Sequence, residues 1–244
     1  MDAAPLLDAR RRMDFLAEGL RRAVSLLLSG DAEVYGTALR TVKIATCATV
    51  IACAFGIPLG FVLATRRFWG RRAALTVINT ALAFPTVVVG LFLYALFSRR
   101  GPLGGLGLLY TWKAIVVGDV LLTFPVAAAL SAAAVQGVDP RVRRTAETLG
   151  AGRWRTAWTV AREARFALAA VLTAAFGQAA AEFGAAMIVG GNIRGVTRTL
   201  TTAVALYTAQ GEFDLALALG VLLVVLALVV NVGLQVLQGR GGRA

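Results

Sequence analysis

The sequence predicts an all-α integral membrane protein in which five membrane-spanning helices follow an N-terminal amphipathic helix. Three observations support this prediction. Apolar residues make up 58% of the 244 residues, and they form long blocks from which charges are almost absent. The basic residues behind the net charge of +12 cluster at the ends of these blocks. One long hydrophilic interval, residues 138–165, separates two of the blocks.

The N-terminal region is predicted to lie on the membrane rather than across it. Residues 13–29 place Leu, Val and Phe side chains on one helical face and four charged side chains elsewhere. Such a segment is too short and too charged for a span, so it either lies in the membrane interface or packs on the helix bundle. The chain is therefore divided into a tail with this helix, residues 1–34, and a transmembrane domain, residues 35–244.

The first three predicted spans cover residues 39–65, 73–97 and 112–135. Pro58 predicts a kink in the first span, because a proline inside a helix removes one backbone hydrogen bond. Pro85 and Pro125 lie inside the second and third spans, each directly after a phenylalanine. These two prolines indicate either bent helices around a transport path or ordinary kinks.

The last two predicted spans cover residues 166–189 and 215–237. Glu182 lies inside the fourth span, where an ionisable group is expected to face the bundle interior or water. Glu182 is therefore a functional candidate, either in a path or as a gate or structural partner, and Gln178 lies one helical turn before it. Small residues around them allow close helix packing.

The distribution of basic residues predicts on which side of the membrane each end of a span lies. Four Arg residues follow the first span between residues 66 and 72, and the hydrophilic interval contains seven. Because cytoplasmic loops are enriched in Lys and Arg, both loops are predicted to be cytoplasmic. The first span then begins outside and the fifth ends inside, and the segments 99–111 and 190–202 are outer. The predicted location is the cytoplasmic membrane, with several passes.

The hydrophilic interval predicts two short helices joined by glycines. Asp139 is a helix N-cap with Pro140 at the first helical position, and Gly150 is a natural stop. A second helical pattern follows, with Trp154 and Trp158 four residues apart. By itself, this arrangement is also typical of a solvated connector that lies at the lipid headgroups.

The run from Ala146 to Trp154 resembles the EAA loop of ABC importer permeases, which these subunits insert into a groove of their partner ATPase. The glycine and its surroundings match, whereas the family's usual Glu is Arg144 here and its usual Leu-Pro end is Arg162-Glu163. The resemblance implies a type I ABC importer permease fold with a cytoplasmic coupling-helix loop. It implies coupling roles for eight residues: Thr145, Ala146, Glu147, Leu149, Gly150, Ala151, Arg153 and Trp154.

The stretch from Glu182 to Asp214 resembles tungstate-type permeases of the oxyanion importer group, and the resemblance extends over the chain from residue 15 on. It implies an oxyanion as cargo, with tungstate as the first candidate and molybdate, another oxyanion or a small solute as alternatives. It also implies two ATP-binding cassette subunits and an extracytoplasmic substrate-binding protein as partners. A second copy of the chain is expected because five helices are too few to enclose a gated path.

The outer segment 190–202 offers chemistry that suits an anion. Arg194 and Arg198 could attract it, and the hydroxyl groups beside them could pass it inward. The alternative is that both arginines dock the binding protein or anchor at headgroups. A carboxylate is a poor ligand for an anion, which favours a gate or structural role for Glu182. The candidates for the path or gate are Gln178, Glu182, Arg194, Arg198 and Thr199.

Several other functions are disfavoured. The chain has no His, and only Asp119 and Glu182 lie deep in its spans, which is unlike a membrane-embedded enzyme. The coupling loop argues against a passive anion channel. No phosphate-binding G-x-x-x-x-G-K-[ST] motif occurs, so ATP and Mg are expected on a partner ATPase and no cofactor or metal on this chain. Cys47 and Cys53 are interpreted as small packing residues. Membrane lipid is an expected partner and nucleic acid is not, because the basic residues follow the spans.

Overall fold

The computed structural model describes residues 32–239, together with residues 21, 24 and 25. The predicted amphipathic helix at residues 13–29 therefore lies almost wholly outside the described residues. Within residues 32–239 the regular elements are ten α-helices and one 3₁₀ helix at Gly104–Leu106. The α-helices are α1 Ala32–Thr65, α2 Arg71–Ala81, α3 Thr86–Phe97, α4 Trp112–Gln136, α5 Pro140–Thr148, α6 Arg153–Glu163, α7 Arg165–Ala180, α8 Gly184–Gly190, α9 Leu200–Ala209 and α10 Phe213–Gly239.

The predicted all-α membrane fold is confirmed. Within the described residues, α1, α4 and α10 are each long and apolar enough to cross a membrane, and two bent helix pairs raise the number of spans to as many as five. The helices α2 and α3 meet at 98°, and α7 and α8 meet at 53°. Helix α1 begins at Ala32, so the predicted domain boundary at residue 35 falls inside this helix.

The prolines differ in their effect on the helices. Pro85 is the N-cap of α3, directly after the break that separates α3 from α2. Its missing N–H is not needed at the start of a helix, and a proline disfavours helical geometry in the residue before it. The predicted bend is therefore present at Pro85. In contrast, α1 runs without a break past Pro58, and α4 past Pro125.

One close helix contact joins α1 to α4 through two glycines spaced four residues apart. A Cβ atom on Gly56 would lie 2.8 Å from Ala127 Cβ, and one on Gly60 would lie 2.4 Å from the Ala128 carbonyl oxygen. These distances are shorter than van der Waals contact, so only glycine permits this backbone approach. Paired small residues of this kind are a common basis for helix association in membranes.

A second close contact joins the two short helices of the bent spans. A Cβ atom on Gly184 of α8 would lie 2.3 Å from Thr86 Oγ1 of α3, and one on Gly90 would lie 2.8 Å from Ala185 Cα. The two breaks therefore lie next to each other, at the start of one tightly packed α3–α8 pair.

Contacts between helix termini show which ends of the spans lie together. At one end, Arg143 of α5 hydrogen-bonds the Thr65 carbonyl at the end of α1. At the opposite end, Lys43 near the start of α1 lies 4.1 Å from the centre of the Trp112 ring at the start of α4. We refer to these as the coupling end and the outer end, in keeping with the predicted topology.

Candidate functional site

The coupling loop, residues 138–165, folds as predicted into two helices around a glycine. Asp139 Oδ1 accepts a hydrogen bond from the Arg141 N–H at 2.8 Å and caps α5. Gly150 has φ 79°, the left-handed region in which a side chain is disfavoured. The Ala151 N–H donates to the Ala146 carbonyl at 3.0 Å, the 6→1 bond of a Schellman ending. The turn between α5 and α6 is therefore a regular helix ending that its own backbone hydrogen bonds stabilise.

Two kinds of contact attach this loop to the bundle. Arg143 donates to Glu147 Oε1 at 2.9 Å and to the Thr65 carbonyl at 3.3 Å, which links α5 to the end of α1. Val160 and Ala164 are buried in a cluster with Val135 of α4. Sequence reasoning noted the unusual Arg144, whereas the described contact to α1 comes from its neighbour Arg143.

The free side of the loop exposes large apolar side chains. Leu149 is 82% exposed, Trp154 89% and Trp158 73%. The predicted coupling residues Thr145, Glu147, Gly150 and Arg153 are exposed as well, while Ala151 is half-buried and Ala146 is buried. Large apolar side chains exposed together in this way are typical of a surface that contacts another protein or the membrane.

Glu182 lies in the break between α7 and α8 and is buried. Its Oε1 accepts a hydrogen bond from the Ala185 N–H at 3.0 Å, and its carbonyl accepts one from the Thr201 hydroxyl at 2.9 Å. The carboxylate thus pairs with one of the backbone N–H groups at the start of α8 that have no partner within the helix. Asp119 of α4, the other acidic residue that sequence reasoning placed deep in a span, is also buried.

Gln178 points elsewhere, although it lies one turn before Glu182. It is exposed on a face of α7 made of small residues, which also contains Ala170, Ala174, Gly177 and Ala181. A Cβ atom on Gly177 would have no neighbour within 4 Å. The described part of the chain leaves this face uncovered.

The threonines of the outer segment hold its backbone in place. Thr199 is the N-cap of α9: the Thr202 N–H donates to its hydroxyl at 3.3 Å, and the Thr199 N–H donates to Thr202 Oγ1 at 2.9 Å. Thr197 donates to the Gly190 carbonyl at 2.6 Å and accepts from the Ile193 N–H at 2.9 Å. The hydroxyls that sequence reasoning assigned to anion transfer thus form a capping network.

The arginines of the outer segment contact the outer end of α1. Arg194 and Arg198 both pair with Glu33, the latter with Nη1–Oε1 at 3.3 Å. Arg40 donates through Nε to the Arg198 carbonyl at 3.3 Å and through Nη1 to the Gly195 carbonyl at 3.4 Å. Sequence reasoning missed Glu33 and the contacts of Arg40, because no local pattern pairs residues more than 150 positions apart.

A comparison with protein families identifies the architecture. The family described as the binding-protein-dependent transport system inner membrane component matches residues 56–241. The chain belongs to this family. Its members are inner membrane components, so the chain is a multi-pass protein of the inner membrane, and its relatives are named as permease proteins of ABC transporters. A permease subunit is non-catalytic, and the ATPase is a separate subunit.

Three relatives illustrate the similarity of this permease. The tungstate uptake system permease protein TupB of Peptoclostridium acidaminophilum is 37% identical over 226 residues, which cover 93% of this chain and 99% of that protein. TupB of Campylobacter jejuni is 38% identical over 219 residues, covering 90% and 92%. The molybdenum transport system permease protein ModB of Escherichia coli (strain K12) is 32% identical over 173 residues, covering 68% and 76%.

A solved structure supports the fold of the permease independently. A bacterial alginate ABC transporter, solved in complex with an alginate pentasaccharide-bound periplasmic protein, contains a chain that superposes with a TM-score of 0.72 at 16% identity. The superposition covers 99% of this chain and 94% of that chain. At this identity the likeness shows the fold alone.

Proposed function

We propose that the chain is the membrane-spanning permease of an ATP-driven importer for the oxyanion tungstate, which an extracytoplasmic binding protein delivers. The observation that carries the choice of cargo is the similarity to two tungstate permeases over at least 90% of this chain. Molybdate is the second candidate, because a molybdenum permease is 32% identical over 68% of the chain.

The coupling end supports the ATP-driven part of this proposal. In our proposal each chain presents Leu149, Trp154 and the other predicted coupling residues to one of two ATP-binding cassette subunits. The ATPase binds ATP and Mg. Because Arg143 ties α5 to the end of α1, and α7 follows α6 directly, a displacement of the loop acts on two spans at once.

The proposed pathway forms between two copies of the chain. The uncovered face of small residues on α7 would pack or line the path in a two-fold dimer, with Gln178 supplying its amide. Glu182, in the break of the fourth span, is proposed as part of the gate. Thr199 would contribute to this gate indirectly, because its hydroxyl caps α9 and so fixes the start of that helix.

The outer end is proposed to receive the anion. Arg194 is largely exposed and could attract an oxyanion or dock the binding protein, while Arg198 is largely buried. Arg40 adds a third positive charge near the same carboxylate. This excess of positive charge would raise the local concentration of an anion released at the outer end.

The test is uptake into proteoliposomes that contain the chain, its ATPase and its binding protein. We expect uptake of tungstate that requires ATP on the coupling side, with molybdate as a weaker competitor. A complex in which the ATPase cannot hydrolyse ATP is the control. Uptake that proceeds equally without ATP would contradict the importer, and a preference for molybdate would correct the cargo.

A further inference from the structure

A small cavity lies at the outer end of the bundle, between α1, α9 and α10. Its volume is about 120 Å³, which is room for several water molecules. It is lined by Glu33, Val34, Thr37, Arg198, Ala203, Tyr207, Leu215 and Leu219. The cavity therefore has apolar walls and a few polar side chains, as small-ligand sites usually do.

One donor in this cavity has no described partner. Arg198 Nε is buried and makes no hydrogen bond, although Nη1 of the same guanidinium pairs with Glu33. A buried, unpaired N–H on a charged group is costly, and such groups are usually satisfied by water or a ligand. The side chain is only 12% exposed, so this nitrogen has little contact with bulk water.

Two hydroxyl groups accompany this donor. Thr37 Oγ1 accepts a hydrogen bond from Arg40 Nη2 at 2.9 Å, which leaves its O–H able to donate to a bound ligand. Tyr207 contributes a phenol from α9. Glu33 is the one carboxylate among the lining residues, and both Arg194 and Arg198 already pair with it. Among the described residues, the two arginines therefore outnumber the one carboxylate at the cavity, and their N–H donors suit an anion.

We propose that this cavity binds one tetrahedral oxyanion through the Arg198 guanidinium and the hydroxyls of Thr37 and Tyr207. The inference deepens the proposed function, because it adds a holding site for that class of cargo at the outer end. The phosphate of an anionic phospholipid offers the same chemistry. A lipid is the alternative source of the anion because the cavity lies beside the first turns of membrane helices.

The experiment measures binding to the assembled permease–ATPase complex without the binding protein. In nanodiscs of phosphatidylcholine, we expect saturable binding of sodium tungstate in equilibrium dialysis, at one anion per chain. In nanodiscs that contain phosphatidylglycerol, native mass spectrometry detects any lipid retained, and competition with tungstate would identify the lipid phosphate as the occupant. Either occupant supports the proposal.

The variants assign the binding to this cavity. Arg198→Gln should weaken binding at least tenfold. Tyr207→Phe leaves the Glu33 pair intact and should weaken binding several-fold, so the test does not depend on how Arg198→Gln folds. Arg100→Gln, on an exposed outer arginine, is the matched control and should bind normally. Binding that neither Arg198→Gln nor Tyr207→Phe changes, or no saturable binding of either probe, would overturn the proposal.

Uptake assays on the same preparations separate this proposal from the proposed function. A native complex that imports tungstate but shows no binding in the cavity would contradict only the cavity site. A native complex that binds the anion there but imports no oxyanion would contradict the proposed function and leave the site in place.

Discussion

Arg143 Nη1 donates a hydrogen bond to the Thr65 carbonyl at 3.3 Å, and this bond joins the coupling loop to the end of the first membrane helix. The bond links residues 78 positions apart. The carbonyl lies at the C-terminus of α1, where unpaired backbone oxygens attract a positive charge.

Arg143→Gln should uncouple ATP hydrolysis from transport without unfolding the protein. The arginine is about half exposed, so its ion pair with Glu147 contributes at most about 1 kcal/mol to stability. We expect the number of anions moved per ATP to fall two- to fivefold. The measurement is paired uptake and ATPase activity in proteoliposomes, with Arg141→Gln as the control; an unchanged ratio would show that the bond does not transmit motion.

Gly150→Leu should abolish stimulation of the ATPase by loaded binding protein. At φ 79° a residue with a Cβ costs about 1–2 kcal/mol, so the corner between α5 and α6 would rearrange and misplace Leu149 and Trp154. Gly152→Ala is the matched control, because Gly152 has φ −64° and its Cβ would meet nothing within 4 Å. Full stimulation in Gly150→Leu would mean that the loop is only a connector.

Gly60→Ala should destabilise the membrane bundle. The new Cβ would lie 2.4 Å from the Ala128 carbonyl oxygen, and overpacking of this kind costs about 1–3 kcal/mol. We expect a lower Tm in detergent, by several degrees. Gly220→Ala in α10 has no neighbour within 4 Å and should leave Tm unchanged or raise it slightly. Equal Tm values for the two variants would contradict the close α1–α4 packing.

Glu182→Gln should retain most transport, whereas Glu182→Leu should lose it. An amide oxygen can still accept the hydrogen bond from the Ala185 N–H, while leucine leaves the start of α8 unsatisfied at a cost of about 1 kcal/mol. Initial uptake rates at equal protein levels provide the measurement. Loss of transport in Glu182→Gln would instead assign a role to the negative charge itself.

Impermeant thiol labelling should place Leu106 and Gly150 on opposite sides of the membrane. Single cysteines at these positions, in a background that lacks Cys47 and Cys53, test the charge-based topology. Arg194→Cys should label with Leu106→Cys. Arg194 is exposed and reports on the second outer segment. Labelling of Leu106→Cys and Gly150→Cys from one side would refute the five-span topology.

The parts of the structure that the sequence predicted are those set by local chemistry. The cap at Asp139, the left-handed Gly150 and the break at Pro85 each depend on a few neighbouring residues, and each is present. The roles of the outer polar residues were harder to predict, because a hydroxyl that can meet an anion can equally cap a helix. The partners of Thr199 are local, yet only the folded geometry shows that they occupy its hydroxyl.

Long-range pairing was beyond sequence reasoning for a different reason. Glu33 and Arg198 meet because α1 and the start of α9 share the outer end of the bundle, which depends on the packing of every span between them. Similarly, the local sequence does not show that Gly56 and Gly60 allow a close approach between α1 and α4, because this depends on which residues lie opposite the two glycines.

The backbone contact between Gly60 and Ala128 determines which parts of the protein can move during a transport cycle. Two helices packed this closely cannot slide past each other without losing the contact, so we expect α1 and α4 to move together as one rigid unit. Bending is then expected at the helix breaks at residues 82–85 and 181–183, each within a span that is already bent. A displacement of the coupling loop would thus reach the outer end as a rotation about these two breaks.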